Sequence, residues 1–375
     1  MKSLALLNIL AFIVLAIAVP LSNGARILVV APQGTKSHQN TFVPLCKELV
    51  RRGHHITIIT NYVSEDLAQM GNVRQIWIKK LVVDMSIFPN VFETMKDRIT
   101  QLRMIYKVIQ MMLSFPKLIG ESTYGDPRVQ DIMANESFDL VMTNEASGPT
   151  CYPFGWYFKA PVIAISPNVL FPGRAEILGN DEHYSYVPFV LSSFTDKMTL
   201  YQRTMNLLMF KLFKFVSRDL QVGVAESLFK QMVNPNAPPF LEMEKNFSLL
   251  FTNTHLSFNY PRTLPPQVIE IGGLHCRPAN PLPDDLEKFV SSSDSGFILF
   301  AVGSALKMED MPEELLLYFI NAFSRLPQKV IWQWKGKIRS DLPKNVLAIP
   351  WLPQQDLLGI YLILPIETCI KTFIL

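Results

Sequence analysis

Arg26-Ile27-Leu28-Val29-Val30-Ala31-Pro32, followed by His55-Ile56-Thr57-Ile58-Ile59-Thr60, decides the fold. Each is a short, largely apolar run of the kind that a parallel strand buried on both faces requires. Between them lies a polar loop, Gln33 to Gln39. A helical pattern follows from about Asn40, with Asn40 as N-cap and Pro44 tolerated in the first turn. Phe42, Leu45, Cys46, Leu49 and Val50 recur at helical spacing, and Gly53 supplies the C′ residue. Strand, helix and strand make one βαβ unit, the opening of a doubly wound domain.

The alternation continues along the chain. Strands are predicted within Val73–Val83, Phe138–Thr143, Pro161–Ser166, Phe247–Thr252 and Val268–Ile271. Helices are predicted over Ile87–Phe115 with Pro116 as a stop, near Cys151–Phe158, and over most of Leu191–Val233. Gly272-Gly273 and the proline-containing stretch Arg277–Pro283 then read as an interdomain linker. A second βαβ pattern begins at Gly296: a strand from Phe297 to Val302 ending in Gly303-Ser304, a helix from near Asp310 to Arg325, and strands at Lys329–Trp334 and Val346–Ile349. A length of 375 residues suits two domains of roughly 150 residues each.

A hydrophobic fraction of 49% excludes a mainly disordered chain. A net charge of +3 with scattered basic residues, the pairs Arg51-Arg52 and Lys79-Lys80 included, excludes a nucleic-acid footprint. Twenty-five Phe and sixteen Met suit either a soft core or an adaptable apolar cavity. At the start, Lys2, the apolar run Leu4–Val19 and the small residues Ser22-Asn23-Gly24 form a secretory signal pattern over residues 1–24, with cleavage expected before Ala25. That run falls short of the ~20 residues a membrane span needs. Two sequons, Asn135-Glu136-Ser137 and Asn246-Phe247-Ser248, are compatible with an endoplasmic reticulum lumen. Cys46, Cys151, Cys276 and Cys369 form no C-x-x-C pair, which argues against zinc, and spacing does not choose among disulfide pairings; Cys46 reads as buried on its helix.

Four groups could carry chemistry. His38 lies in the loop after the first strand, at the sheet edge where such folds bind ligands, and the electropositive helix terminus nearby favours a neutral imidazole, as a general base requires. A solvated loop histidine is an equally open reading. The strand at 138–143 delivers Asn144 and Glu145 to the same edge, where an acid could orient the imidazole, though ordinary loop polarity also accounts for them. Gly303-Ser304 could admit a phosphate to the backbone. Trp351-Leu352-Pro353-Gln354-Gln355 offers an indole face for a nucleobase and an amide that both donates and accepts; a core tryptophan is the plainer alternative. No G-x-G-x-x-G follows either leading strand, which disfavours a dinucleotide cofactor. Gly120–Gly125 misses a nucleophile elbow by one residue and follows a helix.

In order along 25–359, Ser37-His38, Lys47-Glu48-Leu49 through Arg52-Gly53-His54, Phe138-Asp139-Leu140-Val141, Phe158 to Ile163, Val302-Gly303-Ser304, Lys329 to Trp334, and Trp351 to Gly359 resemble the animal UDP-glycosyltransferases, the insect type above all. The resemblance implies a GT-B fold: two Rossmann-like doubly wound domains facing across a cleft, an acceptor domain at 25–276, a linker at 277–294, and a UDP-sugar-binding domain at 295–359. It implies inverting transfer of a hexose from UDP-glucose or UDP-glucuronate to a small lipophilic acceptor, with no metal and no cofactor beyond the UDP-sugar co-substrate. His38 would be the base, Gly303 and Ser304 would meet the diphosphate, Trp351 would stack on uracil, and Gln354 would bind the nucleoside. The partner acid falls at Asn144 by counting, or at Glu145 if this loop carries one extra residue; Glu145 is preferred because an amide cannot balance an imidazolium.

After Gly359 the resemblance ends. Residues 360–375 lack the family's histidine-glycine-rich loop, its acidic and Asp-Gln groups and its C-terminal membrane anchor. The second domain is therefore expected to be incomplete and transfer by this chain impaired. The alternative expectation is a non-catalytic lumenal binding or regulatory protein that forms homo- or hetero-oligomers with full-length relatives.

Overall fold

The computed structural model describes residues 24–34, 36–78, 81, 98–303 and 308–360. Residues 1–23 of the expected signal segment, residues 87–97 of the expected helix 87–115, Ser304 and the tail from 361 lie outside them.

The first compact unit is built on a seven-stranded sheet. Its strands are β1 (Arg26–Ala31), β2 (His55–Thr60), β3 (Val73–Trp77), β4 (Leu140–Asn144), β5 (Val162–Ser166), β6 (Phe247–Thr252) and β7 (Val268–Glu270), in the order β3-β2-β1-β4-β5-β6-β7. Every neighbouring pair is parallel. Alternation along β1 sends Leu28 and Val30 to the core on one face and Ile27, Val29 and Ala31 to the core on the other. A strand buried on both faces is thus apolar throughout, which is why the run was legible. The order reverses direction between β1 and β4, and this crevice is the topological switch point of the sheet.

Helix α1 (Lys36–Asn40) and helix α2 (Val43–Arg51) follow β1. Asn40 closes α1 instead of capping α2; the N-cap of α2 is Phe42, without a side-chain hydrogen bond, and Pro44 sits in its first turn. Cys46 is fully buried on α2, and burial pushes its thiol up to about 12.

Pro116 does not stop its helix. Helix α3 spans Arg98–Tyr124 with the proline inside. The turns beyond it bury Ile119 and Tyr124, and the Tyr124 hydroxyl donates to the Thr150 carbonyl at 2.6 Å. Burying two large side chains, at about 1.5–3 kcal/mol each, offsets the roughly 3 kcal/mol an interior proline costs. The segment predicted as helix over 191–233 is irregular to Thr199. It then runs as α4 (Leu200–Lys214), a π-helical turn at Phe215–Leu220, and α5 (Gln221–Met232).

The second unit contains a three-stranded parallel sheet of β8 (Phe297–Phe300), β9 (Lys329–Gln333) and β10 (Val346–Ile349), in the order β10-β9-β8. It too is covered on both faces: Phe300, Val330 and Trp332 point to one core, Phe297, Leu299 and Ile331 to the other. The predicted linker 277–294 is not all irregular, since α6 (Asp284–Ser291) lies within it and buries Leu286 and Val290. Helix α7 (Glu313–Ser324) joins β8 to β9, and α8 (Gln354–Ile360) follows β10. Among the described residues no helix is long and apolar enough to cross a membrane.

Candidate functional site

The loop after β1 and the end of β4 meet at the switch point, because Val30 is in register with Thr143. His38 lies on α1 in that loop. Gly34, at φ +143°, lets the chain pass between two side chains. A β-carbon there would stand 3.1 Å from the His38 β-carbon, 3.2 Å from His38 Nδ1 and 3.4 Å from the Asn144 amide nitrogen. The loop is held from both sides. Asn61, just past β2, donates to the Gly34 carbonyl at 2.7 Å and to the Leu81 carbonyl at 3.0 Å. Gln39 donates to the Ala31 carbonyl and to the Asn61 side-chain oxygen. Ser147 and Asn144 both donate to the Gln33 carbonyl, at 3.1 and 3.4 Å.

The imidazole is mostly buried, and this desolvation lowers its pKa from 6.5 to about 4. It is therefore neutral at pH 7, through burial and not through the helix terminus the sequence suggested. Its Nδ1 atom is buried and has no hydrogen-bond partner among the described residues. A neutral imidazole carried on a braced loop has the protonation state that a proton acceptor needs.

Asn144 and Glu145 are brought to the same edge but do different things. The Asn144 side-chain oxygen accepts from the Ala146 N–H at 3.0 Å and caps the 3₁₀ turn Glu145–Cys151. Glu145 turns to Arg174, whose Nε stands 2.9 Å from its carboxylate, close in distance but without hydrogen-bond alignment. Arg174 also donates to Glu244 at 3.1 Å and to the Tyr152 hydroxyl; Glu244 in turn pairs with Arg218 at 2.7 Å. Burial raises the Glu145 pKa, with Arg174 opposing and Glu244 adding to it. Burial opposes the charge of Arg174, but Glu145, Tyr152 and Glu244 outweigh it and hold the guanidinium protonated. No ion pair or hydrogen bond joins Glu145 to His38 among the described residues; Asn144 and the imidazole both flank Gly34, without a hydrogen bond between them.

At the carboxyl edge of the second sheet, Gly303 follows β8 at φ +81°, and a β-carbon on it would meet no atom within 4 Å. Trp351 follows β10 and is 61% exposed, so it is not a core tryptophan. Gln354 opens α8. Arg277 clamps the start of this helix to the preceding linker through Asp356, at 2.6 and 3.1 Å, and the Asn280 N–H donates to the same carboxylate at 2.8 Å. Ser304 lies outside the described residues.

Sequence reading missed Asn61, Arg174, Glu244 and Asp356. Asn61 carried a usable signal, because it follows a strand at the edge where ligands bind. The carboxylate partners of Arg174, Glu145 and Glu244, lie 29 and 70 residues away along the chain, and no local pattern announces them.

The pattern of the family described as UDP-glucoronosyl and UDP-glucosyl transferase matches residues 25–361. The chain is 32% identical over 342 residues to UDP-glucosyltransferase 2 of Dactylopius coccus, covering 90% of this chain and 64% of that protein. It is 30% identical over 344 residues to UDP-glucuronosyltransferase 2B30 of Macaca fascicularis, covering 86% and 63%. It thus spans slightly less than two thirds of these relatives' length. Among solved structures, the glycosyltransferase VinC in complex with dTDP aligns at a TM-score of 0.51 and 16% identity, over 89% of this chain and 73% of VinC. That likeness supports the GT-B class expected for two Rossmann-like α/β units. With the family pattern running through both sheets, from β1 to the end of α8, the chain belongs to the UDP-glucoronosyl and UDP-glucosyl transferase family.

Proposed function

We propose that the chain takes part in transfer of a hexose, glucose or glucuronic acid, from a UDP-sugar to a hydroxyl of a small lipophilic acceptor, with inversion at the anomeric carbon. The observation that carries this reading is the mostly buried, neutral imidazole of His38, held at the switch point on a loop braced by Asn61, Asn144 and Ser147. In this reading the imidazole takes the acceptor proton, the oxygen attacks the anomeric carbon in line, and UDP departs. Asn144 keeps the loop and imidazole in place through the Gln33 carbonyl. Glu145 serves as the buried partner of Arg174 and not by contact with the imidazole. On the donor side, Gly303 and Ser304 would receive the diphosphate, Trp351 would cover the uracil, and Gln354 would bind the nucleoside. The exposure of Trp351 and the open backbone at Gly303 support those parts. Entry into the secretory pathway is part of the proposal, supported by a family match that begins at Ala25, the residue after the expected cleavage point.

The test is release of UDP from UDP-glucose and UDP-glucuronate over a panel of lipophilic phenols. His38→Gln is expected to reduce turnover about 10²–10⁴-fold while leaving UDP affinity unchanged. Turnover equal to that of the unaltered chain refutes the base, and no release by the unaltered chain refutes the transfer.

A further inference from the structure

On the opposite edge of the first sheet, where β5 and β6 begin, lies a surface cavity of about 430 Å³. Trp156, Tyr157, Lys159, Asn234 and Met243 contribute to its wall, and Asn246 stands on it. Asn246 is the acceptor position of the sequon Asn246-Phe247-Ser248. Its side chain is exposed and makes no hydrogen bond among the described residues. Asn135, in the other sequon, is different: its amide already donates to Asp131 at 2.8 Å.

The wall has the mixed character a sugar needs. A pyranose presents apolar C–H faces and a rim of hydroxyls, and it is matched by aromatic rings that carry polar tips. Trp156 is steadied by an edge-on contact with Phe229, ring centroids 6.3 Å apart, and Met243 is buried beside it. The indole N–H, the Tyr157 hydroxyl, the Lys159 ammonium and the Asn234 amide nitrogen make no hydrogen bond among the described residues, so the residues that line the cavity have donors to spare for a sugar's hydroxyls.

We propose that Asn246 carries an N-linked oligosaccharide whose first N-acetylglucosamine is seated in this cavity. The group comes from a polyisoprenyl-diphosphate-linked oligosaccharide. The C1–O bond to the diphosphate breaks, a bond from Asn246 Nδ2 to C1 forms, and Nδ2 gives up one proton. Because Phe247 is buried and edge-on to Tyr152 in the folded chain, the transfer precedes closure of β6 onto β5. The seat lies at the edge away from His38, and the inference is independent of the transfer reaction; it rests only on the proposed entry into the secretory pathway.

The full chain, made in eukaryotic secretory cells, is digested and mapped by mass spectrometry after peptide N-glycosidase in heavy-oxygen water. Asn246 is expected to appear as labelled aspartate, and Asn246→Gln and Ser248→Ala are each expected to remove one glycan. In Trp156→Ala, and separately Tyr157→Ser, the glycan should remain, while its release from the native protein becomes several-fold faster. Modification of Asn135 with Asn246 bare overturns the inference and leaves the entry reading standing. Both sites bare on a chain that has lost residues 1–24 overturns the inference alone, both bare on a chain that keeps them overturns the entry reading as well, and native release unchanged in the two wall variants overturns the seat.

Discussion

Arg174 holds its guanidinium 2.9 Å from the carboxylate of Glu145, inside the first unit. Both side chains are nearly excluded from water, so neither charge is tolerable alone. Arg174→Met would leave Glu145 buried without its cation and Glu244 with Arg218 alone. The loss is expected to be about 3–5 kcal/mol, read as the fall in urea midpoint at constant slope. Adding Glu145→Gln to Arg174→Met should recover a large part of it. A double variant no more stable than the single one would show that the pair is not what the arginine serves.

The pH profile of stability carries the signature of His38. Its folded pKa of about 4 lies below the unfolded 6.5, so between these values the unfolded chain binds the extra proton. Stability is therefore complete above pH 6.5 and is lost as the pH falls towards 4, by about 3 kcal/mol over the window. His38→Gln should flatten that part of the profile in urea titrations at stepped pH. A slope between pH 6.5 and 4 that survives the substitution would assign it to other groups.

Activity should follow the same pKa. The acid limb of kcat/KM reports the free base, so its midpoint is expected near 4 and not near 6.5. A midpoint at the ordinary imidazole value would mean that the ring is hydrated in solution.

Gly34→Ala is a test of geometry. Its backbone, at φ +143°, disfavours any side chain, and the new methyl would press on His38 and Asn144. A stability loss of about 1 kcal/mol is expected, with a disproportionate fall in kcat. Equal kcat in the variant would show that the imidazole is not fixed by this loop.

Asp356→Asn removes the carboxylate that ties Arg277 and the Asn280 N–H to the start of α8. Arg277 is half-exposed, so the expected cost is modest, about 1 kcal/mol, but proteolysis should become faster within 277–283. Unchanged cleavage would place the restraint elsewhere, for example in the close approach of Gly359 to Ala279.

The sheets were legible because their strands obey one local rule. His55–Thr60, Phe247–Thr252 and Val346–Ile349 are apolar enough to be covered on both faces, and they stand where the sequence put them. Irregularity and long-range contact were less legible. Pro116 reads as a stop by propensity, yet the core contacts of Ile119 and Tyr124 carry the helix past it. At the site, the position of His38 followed from strand-then-loop logic. The fate of Glu145 did not, because it depends on an arginine that only tertiary folding brings near. Asn144 stays with the loop, through its bond to the Gln33 carbonyl.

The π-helical turn at Phe215–Leu220 acts as a phase shift in an otherwise regular rod. It sets the rotation at which α5 presents Val222, Ala225 and Phe229 to the core and lets Arg218 reach Glu244. Removing one residue there would turn everything downstream by about 100° and swing those side chains off their partners. The length of that turn, more than the identity of its residues, is what the core on the far side depends on.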